Sequence, residues 1–298
     1  MIMNKKVTII LSLFNVEKYL ERYFKNVLNQ EGVKNIELSI VHNQATSMEK
    51  NIIQKYKNKL NITYQEVPLE SLYKSWNRAI LQSSGEYLVC WNVDDLRECN
   101  SIKKMVETLD KNQNIGFTYG DIIIVNSFGK KKGKYVKTPE FTKHLGTTGA
   151  IGGPFFMWRR CLIDKIGYFD EQFKSGGDFD YTVRLSISSK GKKTEGLIGY
   201  FLNDKSGLST SNYKLQIIER TVIEIRYGIW YKLDINYIAK AFRYDINQIT
   251  ENGLTRRFNE QTYKILERRK YLLLLVFYGF FKNSAIRFLQ KITKSRSN

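Results

Sequence analysis

The sequence predicts an α/β fold in which a mostly parallel sheet is flanked by helices, with a helical extension at the C-terminus. Strand-like and helix-like segments alternate between residues 7 and 91, an order typical of parallel sheets covered by helices on both faces. The chain has 298 residues, of which 42% are hydrophobic. That length and apolar content allow a sizeable core and exclude disorder for the bulk of the chain.

The elements of the first half follow from their residue patterns. Val7 to Leu13 is an apolar, β-branched run that predicts a buried strand. Asn15 is placed to cap the next helix, whose apolar residues recur at helical spacing up to Leu28, and Gly32 closes that element. The same reasoning predicts strands over residues 36–41, 61–65 and 86–91, and helices over residues 48–60 and 71–82.

The second half gives weaker patterns. They predict a helix over residues 101–110 and a strand over 115–126, which pairs with a segment near Tyr135 across a solvated basic turn at 130–134. Residues 138–154 are rich in Gly and Thr and are expected to form a mobile loop. Helices are expected over 159–166 and 180–189. The predicted division of the chain is a first domain over residues 1–211 and a helical, basic region over 212–298.

The C-terminal region contains an uncharged run over residues 271–281, flanked by Lys and Arg. A transmembrane helix needs about 20 apolar residues, so this run is too short to span a bilayer. An aromatic, basic helix of this kind is typical of a membrane interface. The alternative is a helix that packs on the main domain or in a homodimer interface.

The charge balance restricts the partners. Lys and Arg number 48 against 29 Asp and Glu, a net charge of +19, which favours phosphate-rich ligands or anionic membranes. Nucleic acid is not expected, because much of the excess lies in the tail rather than in one recognition module. Three cysteines without a CxxC pair favour a reducing compartment, and the N-terminus shows no signal-peptide pattern, so we expect a cytoplasmic protein.

Two groups of carboxylates stand out. Asp94 and Asp95 directly follow the fourth predicted strand, and ligands of parallel sheets bind beyond the carboxyl ends of strands. Their oxygens suit Mg²⁺ or Mn²⁺ bound together with substrate phosphates, although capping of the helix near Ser101 is the simpler alternative. In the second group, one of Asp178 and Asp180 is expected to cap a helix, which leaves the other free to act as a general base.

Five segments, in order, resemble an inverting, family 2-type glycosyltransferase with the GT-A fold. The resemblance covers about residues 5–210. The segments are residues 7–15, with the aromatic-Asn turn; Asn77–Ile80 with Ser84–Tyr87; Trp91–Asp95, which matches the DxD region; Arg159-Arg160 with Ile166–Glu171; and Gly177–Asp180 with Arg184-Leu185, which matches the motif of the catalytic base.

The resemblance implies a role for each matching residue. Asp178 would be the catalytic base, and Asp94 and Asp95 would hold Mn²⁺ or Mg²⁺. The nucleotide-sugar site would comprise Ser12, Phe14, Asn15, His42, Asn43, Asn77, Asn92 and Asp94. Asp180 and Trp158 are candidates for the acceptor side. Three positions depart from the family pattern: His42-Asn43 replaces acidic residues, Asn92 replaces the first Asp of DxD, and Gly177 replaces a Glu.

The function implied by the resemblance is metal-dependent transfer of a sugar, most simply from a UDP-sugar, to a saccharide or lipid-linked acceptor. Such an enzyme would build bacterial surface polysaccharide at the inner face of the cell membrane. A nucleotidyltransferase is one alternative, but it would need a Gly-rich basic loop after the first strand, where the sequence has Ser12-Leu13-Phe14. A non-catalytic protein that binds nucleotide sugars or glycans is the other.

Overall fold

The computed structural model describes residues 6–149, 155–204, 212–228 and 234–257. The strands are β1 (Val7–Leu13), β2 (Ile36–Asn43), β3 (Asn61–Val67), β4 (Tyr87–Cys90), β5 (Leu96–Arg97), β6 (Ile115–Val125), β7 (Lys134–Val136), β8 (Met157–Arg159), β9 (Lys190–Leu202), β10 (Gln248–Glu251) and β11 (Leu254–Arg257). The helices are α1 (Glu17–Leu28), α2 (Ser47–Tyr56), α3 (Leu72–Leu81), α4 (Ser101–Lys111), α5 (Lys143–Thr148), α6 (Ile163–Ile166), α7 (Gly177–Ser188), α8 (Tyr213–Tyr227) and α9 (Ile238–Ala241).

One sheet runs through the described part of the chain in the order β3-β2-β1-β4-β8-β6-β9-β5, with β7 on the side of β6. Its first four strands are parallel, as the alternating pattern predicts. β8 is antiparallel to both β4 and β6, and β9 is parallel to β6. The direction therefore reverses at β8 and is restored at β6.

The sheet separates two hydrophobic cores because alternate residues of a strand face opposite sides. Ile9 and Leu11 of β1 pack with α1, α2 and α4 on one face. Ile10 lies between them in sequence and packs with α3, α7 and α8 on the other face. Burial of both faces explains why five of the seven residues of β1 are apolar.

The structure confirms the α/β fold and corrects details of the first half. The helix after β1 begins without a side-chain cap, so the expected capping role of Asn15 is wrong. Asn15 has a positive φ of 52° instead, a left-handed conformation that Asn tolerates. The predicted helix cap after the fourth strand is also wrong, because α4 has Asn100 at its N-cap position without a side-chain hydrogen bond.

The second half departs further from the expectation. Helix α5 lies within the predicted mobile loop, and Thr142 caps it. Strand β8 precedes the helical turns expected over residues 159–166. Strand β9 was not predicted, because its first half is rich in Lys and Gly, which are depleted in strands.

The C-terminal region is predicted to be helical, but its described part also contains a hairpin of β10 and β11. The turn between them is Asn252-Gly253, with positive φ at both residues, and this dipeptide is a strong hairpin signal. Helix α8 packs against α7 and the hairpin contacts residues 168–171. None of the helices in the described ranges is both long and apolar enough for a membrane crossing. The predicted interfacial helix over residues 271–281 lies outside those ranges.

Candidate active site

The candidate site lies where the carboxyl ends of four strands meet. β1, β2 and β4 are parallel and end at Leu13, Asn43 and Cys90 on one edge of the sheet. β9 ends at that edge too, because the two antiparallel steps through β8 restore the strand direction. The last residues of these strands and the loops that follow them carry most of the residues that the sequence predicts for the site.

The loop after β1 presents Phe14 to solvent. This aromatic side chain is 41% exposed, which is unusual for Phe and leaves its ring open to a planar ligand. Ser12 is partly buried, and its hydroxyl accepts a hydrogen bond from Asn43 at 3.2 Å. The backbone N–H of Val16, just past the loop, donates to Glu49 at 2.7 Å. Glu49 therefore ties the loop after β1 to helix α2.

His42 is held inside the protein rather than presented to a ligand. Its Nε2 atom lies 2.9 Å from Glu49 and its Nδ1 atom lies 2.9 Å from the Tyr64 hydroxyl. The His42 side chain is fully buried. Burial opposes ionisation of Glu49, but hydrogen bonds from Val16, His42 and Thr46 lower the pKa of this carboxyl. His42 therefore supports Glu49, and the expectation that it contacts the nucleotide is corrected.

Asn43 and Asn77 are also engaged within the fold. The amide nitrogen of Asn43 donates to Ser12 and Ser75, and its oxygen accepts from the backbone of Glu70. Asn77 exchanges hydrogen bonds with the backbone of Phe169, 2.9 Å in each direction. Both side chains are buried. They hold the elements around the site rather than projecting into it.

The two aspartates after β4 occupy different surroundings. Asp95 is 2% exposed and its Oδ1 atom accepts a hydrogen bond from Leu202, at the end of β9, at 3.1 Å. Asp94 is partly exposed. Burial, and next the charge of Asp204, raise the pKa of Asp94, whereas Lys18 lowers it. Asp95 thus fastens β9 to the site, while Asp94 faces the edge where Asp204 and Lys18 lie.

Asn92 lies close to Asp95, and its side chain hydrogen-bonds to that carboxyl. Burial and the Asp94 charge raise the pKa of Asp95 well above its usual range. A divalent cation would relieve this repulsion. Within the described ranges, no three His, Cys, Asp or Glu side chains converge on one point. The residues therefore fit a cation held by one or two carboxylates, of which Asp94 is the main candidate. Substrate phosphates would fill the remaining coordination positions of the cation.

Asp178 lies in the first turn of α7. The helix has Gly176 at its N-cap without a side-chain cap, so the expected capping by Asp178 or Asp180 is wrong. Burial raises the pKa of Asp178 to about 6; backbone N–H groups, mainly that of Phe179, oppose the rise. Burial, and next the Asp178 charge, raise the pKa of the Cys90 thiol. This interaction indicates that Asp178 lies near Cys90, the last residue of β4, which precedes Asn92 by two residues.

Two acceptor-side expectations are corrected. Asp180 is fully buried, 2.8 Å from Arg184 and 3.0 Å from Arg226, and it accepts from the Tyr227 hydroxyl. Although burial opposes it, these two arginines lower the pKa of Asp180. Trp158 is also fully buried and packed against aromatic rings of the core, so its ring has no exposed face for stacking on a sugar. A sequence motif does not show which face of an element is covered, so burial of these two candidates becomes visible only in the fold.

Several residues at the site were missed by the sequence analysis. A Cβ atom on Gly177 would lie 2.7 Å from the Tyr73 ring, so this ring occupies the space that the family's Glu side chain would need. Glu219 of α8 accepts hydrogen bonds from the backbone just before Asp178. Asp204 lies just beyond β9 and approaches Asp94. Tyr73, Glu219 and Asp204 belong to no short motif, so only the fold brings them to the site.

Comparison with known proteins identifies the family that the chain resembles. A family model described as glycosyl transferase family 2 matches residues 8–167. Among curated proteins, the poly(ribitol-phosphate) beta-N-acetylglucosaminyltransferase TarS of Staphylococcus aureus is 25% identical over 194 residues, which cover 62% of this chain and 33% of that protein. Chondroitin synthase of Pasteurella multocida is 24% identical over 187 residues, 62% of this chain and 19% of that protein. The chain thus matches a third or less of the length of these two relatives.

Solved structures show the same fold. S. aureus TarS residues 1–349 in complex with UDP-GlcNAc superimposes with a TM-score of 0.60 at 20% identity, covering 80% of this chain and 71% of that one. The mannosyltransferase PcManGT of Pyrobaculum calidifontis in complex with GDP-Man and Mn²⁺ superimposes with a TM-score of 0.53 at 15% identity, covering 95% of this chain and 74% of that one.

Proposed function

The chain belongs to glycosyl transferase family 2, and we propose that it transfers a sugar from a nucleotide diphosphate to an acceptor hydroxyl with inversion. The observation that carries the proposal is the meeting of three features at one sheet edge. These are the exposed Phe14 ring, the Asp94 carboxylate after β4, and Asp178, whose burial raises its pKa to about 6. Family membership supplies the reaction, and these residues supply groups for its steps.

The donor would lie across the loops after β1 and β4. Phe14 would stack on the nucleotide base, since its ring is open to solvent at the end of β1. Ser12 and Asn15 of the same segment would contribute hydrogen bonds to the nucleotide. Asp94, with Asn92 beside it, would hold Mn²⁺ or Mg²⁺, which would neutralise charge on the departing diphosphate when bound. The Lys18 ammonium group is close to Asp94 and would place a second positive charge near the diphosphate.

Asp178 would act as the general base. It would accept the proton of the acceptor hydroxyl while the oxygen bonds to the anomeric carbon from the face opposite the diphosphate. The bond between that carbon and the diphosphate oxygen breaks, and the diphosphate leaves with its electron pair. A general base works best when its pKa lies near the working pH, and Asp178, at about 6, is closer to neutrality than an ordinary Asp.

The curated relatives suggest the substrate class. TarS is named for transfer of N-acetylglucosamine to poly(ribitol-phosphate), and the P. multocida relative is named as a chondroitin synthase. We therefore favour a UDP-sugar donor, UDP-GlcNAc first, and a saccharide, polyol-phosphate or lipid-linked acceptor of a bacterial surface polymer. Peripheral attachment to the inner face of the membrane through residues 258–298 and formation of a homodimer both stay predictions.

A thermal-shift screen tests the donor proposal. UDP-, GDP-, CMP- and dTDP-sugars would be added to the wild-type protein with Mn²⁺, with Mg²⁺ or with EDTA. Ligands that bind the folded state raise the melting temperature by mass action. We expect one nucleotide to give a metal-dependent rise, and Asp94→Asn to lose the metal dependence. No rise with any donor would contradict donor binding and would favour a non-catalytic glycan-binding role.

A further inference from the structure

We propose that Glu219 is a positioning residue for Asp178: it fixes the turn that presents the Asp178 carboxylate and holds a negative charge beside it. The inference rests on the proposed function, in which Asp178 is the base. Glu219 belongs to α8, beyond the predicted boundary of the transferase domain at residue 211 and outside the matched family model, which ends at residue 167.

Glu219 is fully buried and its two carboxylate oxygens accept four hydrogen bonds. Its Oε1 atom accepts from the backbone of Lys174 at 2.8 Å and from the Tyr244 hydroxyl at 3.0 Å. Its Oε2 atom accepts from the backbone of Ser175 at 2.8 Å and of Gly176 at 2.7 Å. Three successive N–H groups that converge on one carboxylate form an anion-binding turn. This turn leads directly into α7.

The contact is close enough to dictate the sequence of the turn. A Cβ atom on Gly176 would lie 3.2 Å from the Cβ atom of Glu219 and 3.3 Å from its Oε2 atom. Gly176 is also the N-cap residue of α7, two residues before Asp178. Any shift of Glu219 would therefore move the start of α7, and Asp178 with it.

The charge of Glu219 has a second consequence. The N-terminus of a helix favours an ionised carboxylate, which would make Asp178 a weaker base. Glu219 opposes that effect, because its charge raises the pKa of Asp178 alongside burial. The other groups that face Asp178 are the Tyr73 hydroxyl from α3, the Cys90 thiol from β4 and the Phe179 N–H from its own helix.

Arg220, the neighbour of Glu219 on α8, is directed elsewhere. Its guanidinium lies 4.8 Å from the centre of the Phe179 ring and 2.9 Å from Glu224. Glu219, by contrast, acts on the Asp178 carboxyl through its charge. We expect substitutions at Glu219 to change the basicity of Asp178 specifically.

The test measures the titration of Asp178 directly, by ¹³C NMR of aspartate carboxyl groups, with Asp178→Asn to assign the signal. In the wild type the midpoint is expected near pH 6. In Glu219→Gln it is expected to fall by about half a pH unit or more, because a like charge has been removed. Tyr244→Phe is the matched control, since it removes one hydrogen bond from the same carboxylate and keeps its charge, so the midpoint should stay.

An unchanged midpoint in folded Glu219→Gln overturns the proposal. If that variant does not fold, Glu219→Asp carries the test, because it keeps the charge and shortens the reach. Its kcat should fall at least about tenfold while the acid limb of its pH profile stays in place; a wild-type kcat would overturn the positioning role. A midpoint that moves as expected in a protein without transferase activity would show that the proposed function, and not the Glu219–Asp178 coupling, is wrong.

Discussion

At the scale of single residues, the candidate base shows how surroundings turn an ordinary carboxylate into a useful one. Aspartate side chains are usually exposed. Asp178, however, lies half-buried at the start of α7, near Cys90 and Glu219. Burial is the main reason that its pKa reaches about 6. The sequence indicates which aspartate to test, but only packing from other elements sets its protonation.

Asp178→Asn tests the chemistry. We expect the substitution to lower kcat at least about a hundredfold, because a general base contributes about 10²–10⁴, while the donor-induced thermal shift stays. Asp164→Asn is a matched control, since this exposed residue follows β8 at the opposite edge of the sheet. Loss of donor binding together with activity would count against Asp178 as base.

The same substitution should change stability in a pH-dependent way. Asp178 has a higher pKa in the folded state than the unfolded value of about 3.9. The folded state therefore holds the proton more tightly, and ionisation of Asp178 destabilises the fold as the pH rises through about 6. Asp178→Asn should melt at a higher temperature than the wild type at pH 8, and the gap should narrow by pH 5. A gap of equal size at both pH values would contradict this sign.

Gly177 illustrates a departure from the family that the structure explains. A Cβ atom there would lie 2.7 Å from carbons of the Tyr73 ring, so Gly177→Ala should cost about 1–3 kcal/mol of unfolding free energy. In a Tyr73→Ala background the ring is gone, and the same change should cost less. Urea unfolding of the four proteins gives the coupling; equal losses in both backgrounds would show that the ring is not the obstacle.

At the scale of elements, the local sequence predicts strands well where both faces of the strand are buried. It fails where contacts with distant residues determine the backbone conformation. The strands β1, β2 and β4 follow from short stretches rich in apolar and β-branched residues. β9 carries Lys190, Lys192 and Lys193, so its composition is unlike a strand, and pairing with β6 imposes the extended conformation. The hairpin after α9 was predictable in principle from Asn252-Gly253, whose backbone matches a tight turn.

Helix α8 shows how an element of weak local signal holds the domain together. Arg226 is fully buried, 2.8 Å from Asp170 and 3.0 Å from Asp180. Its guanidinium also donates to the backbone of Asp245 and Gln248, before and within β10. One side chain thus joins the segment before the base, helix α7 and the hairpin.

Arg226→Met should therefore be severe. It leaves two buried carboxylates without their shared cation, and loss of one partner of a buried ion pair typically costs about 3–5 kcal/mol. Lys74→Met is the control, because the Lys74 side chain is 41% exposed and its partner Glu70, 3.7 Å away, keeps Arg78 as a second cation. Ion pairs with an exposed partner contribute about 0–1 kcal/mol. The two midpoints of urea unfolding should differ clearly; similar values would mean that the buried network contributes little.

At the scale of the whole molecule, the family pattern and the strand order fix the architecture, whereas the C-terminal third decides how the site is supported. Residues 212–228 supply Glu219 and Arg226, and residues 234–257 supply Tyr244 and the hairpin. The predicted boundary at residue 211 follows a change in composition. Composition gives no sign that buried polar contacts cross that boundary, which is why this support was not predicted.

This dependence determines where the chain should be truncated to test membrane attachment. A variant that ends at Arg257 keeps β11 and every contact described above. It loses residues 258–298, which contain nine Lys or Arg and two Glu around the apolar run. Each basic residue near an anionic surface contributes about 1 kcal/mol to binding. The truncated protein should keep its melting temperature and its donor-induced thermal shift, and co-sediment at least about tenfold less with phosphatidylglycerol-containing vesicles.

The basic turn at residues 130–134 is the competing source of membrane affinity, because it too is exposed and positive. A full-length variant with Lys130, Lys131, Lys132 and Lys134 changed to Gln separates the two. If the tail anchors the protein, this variant should bind vesicles like the wild type, since it keeps both the apolar run and its basic flanks, and raised salt should weaken binding without abolishing it. The opposite result would be that the Lys-to-Gln variant no longer binds vesicles while the truncated protein still binds them. The membrane would then contact the sheet edge where β6 ends, and not residues 258–298.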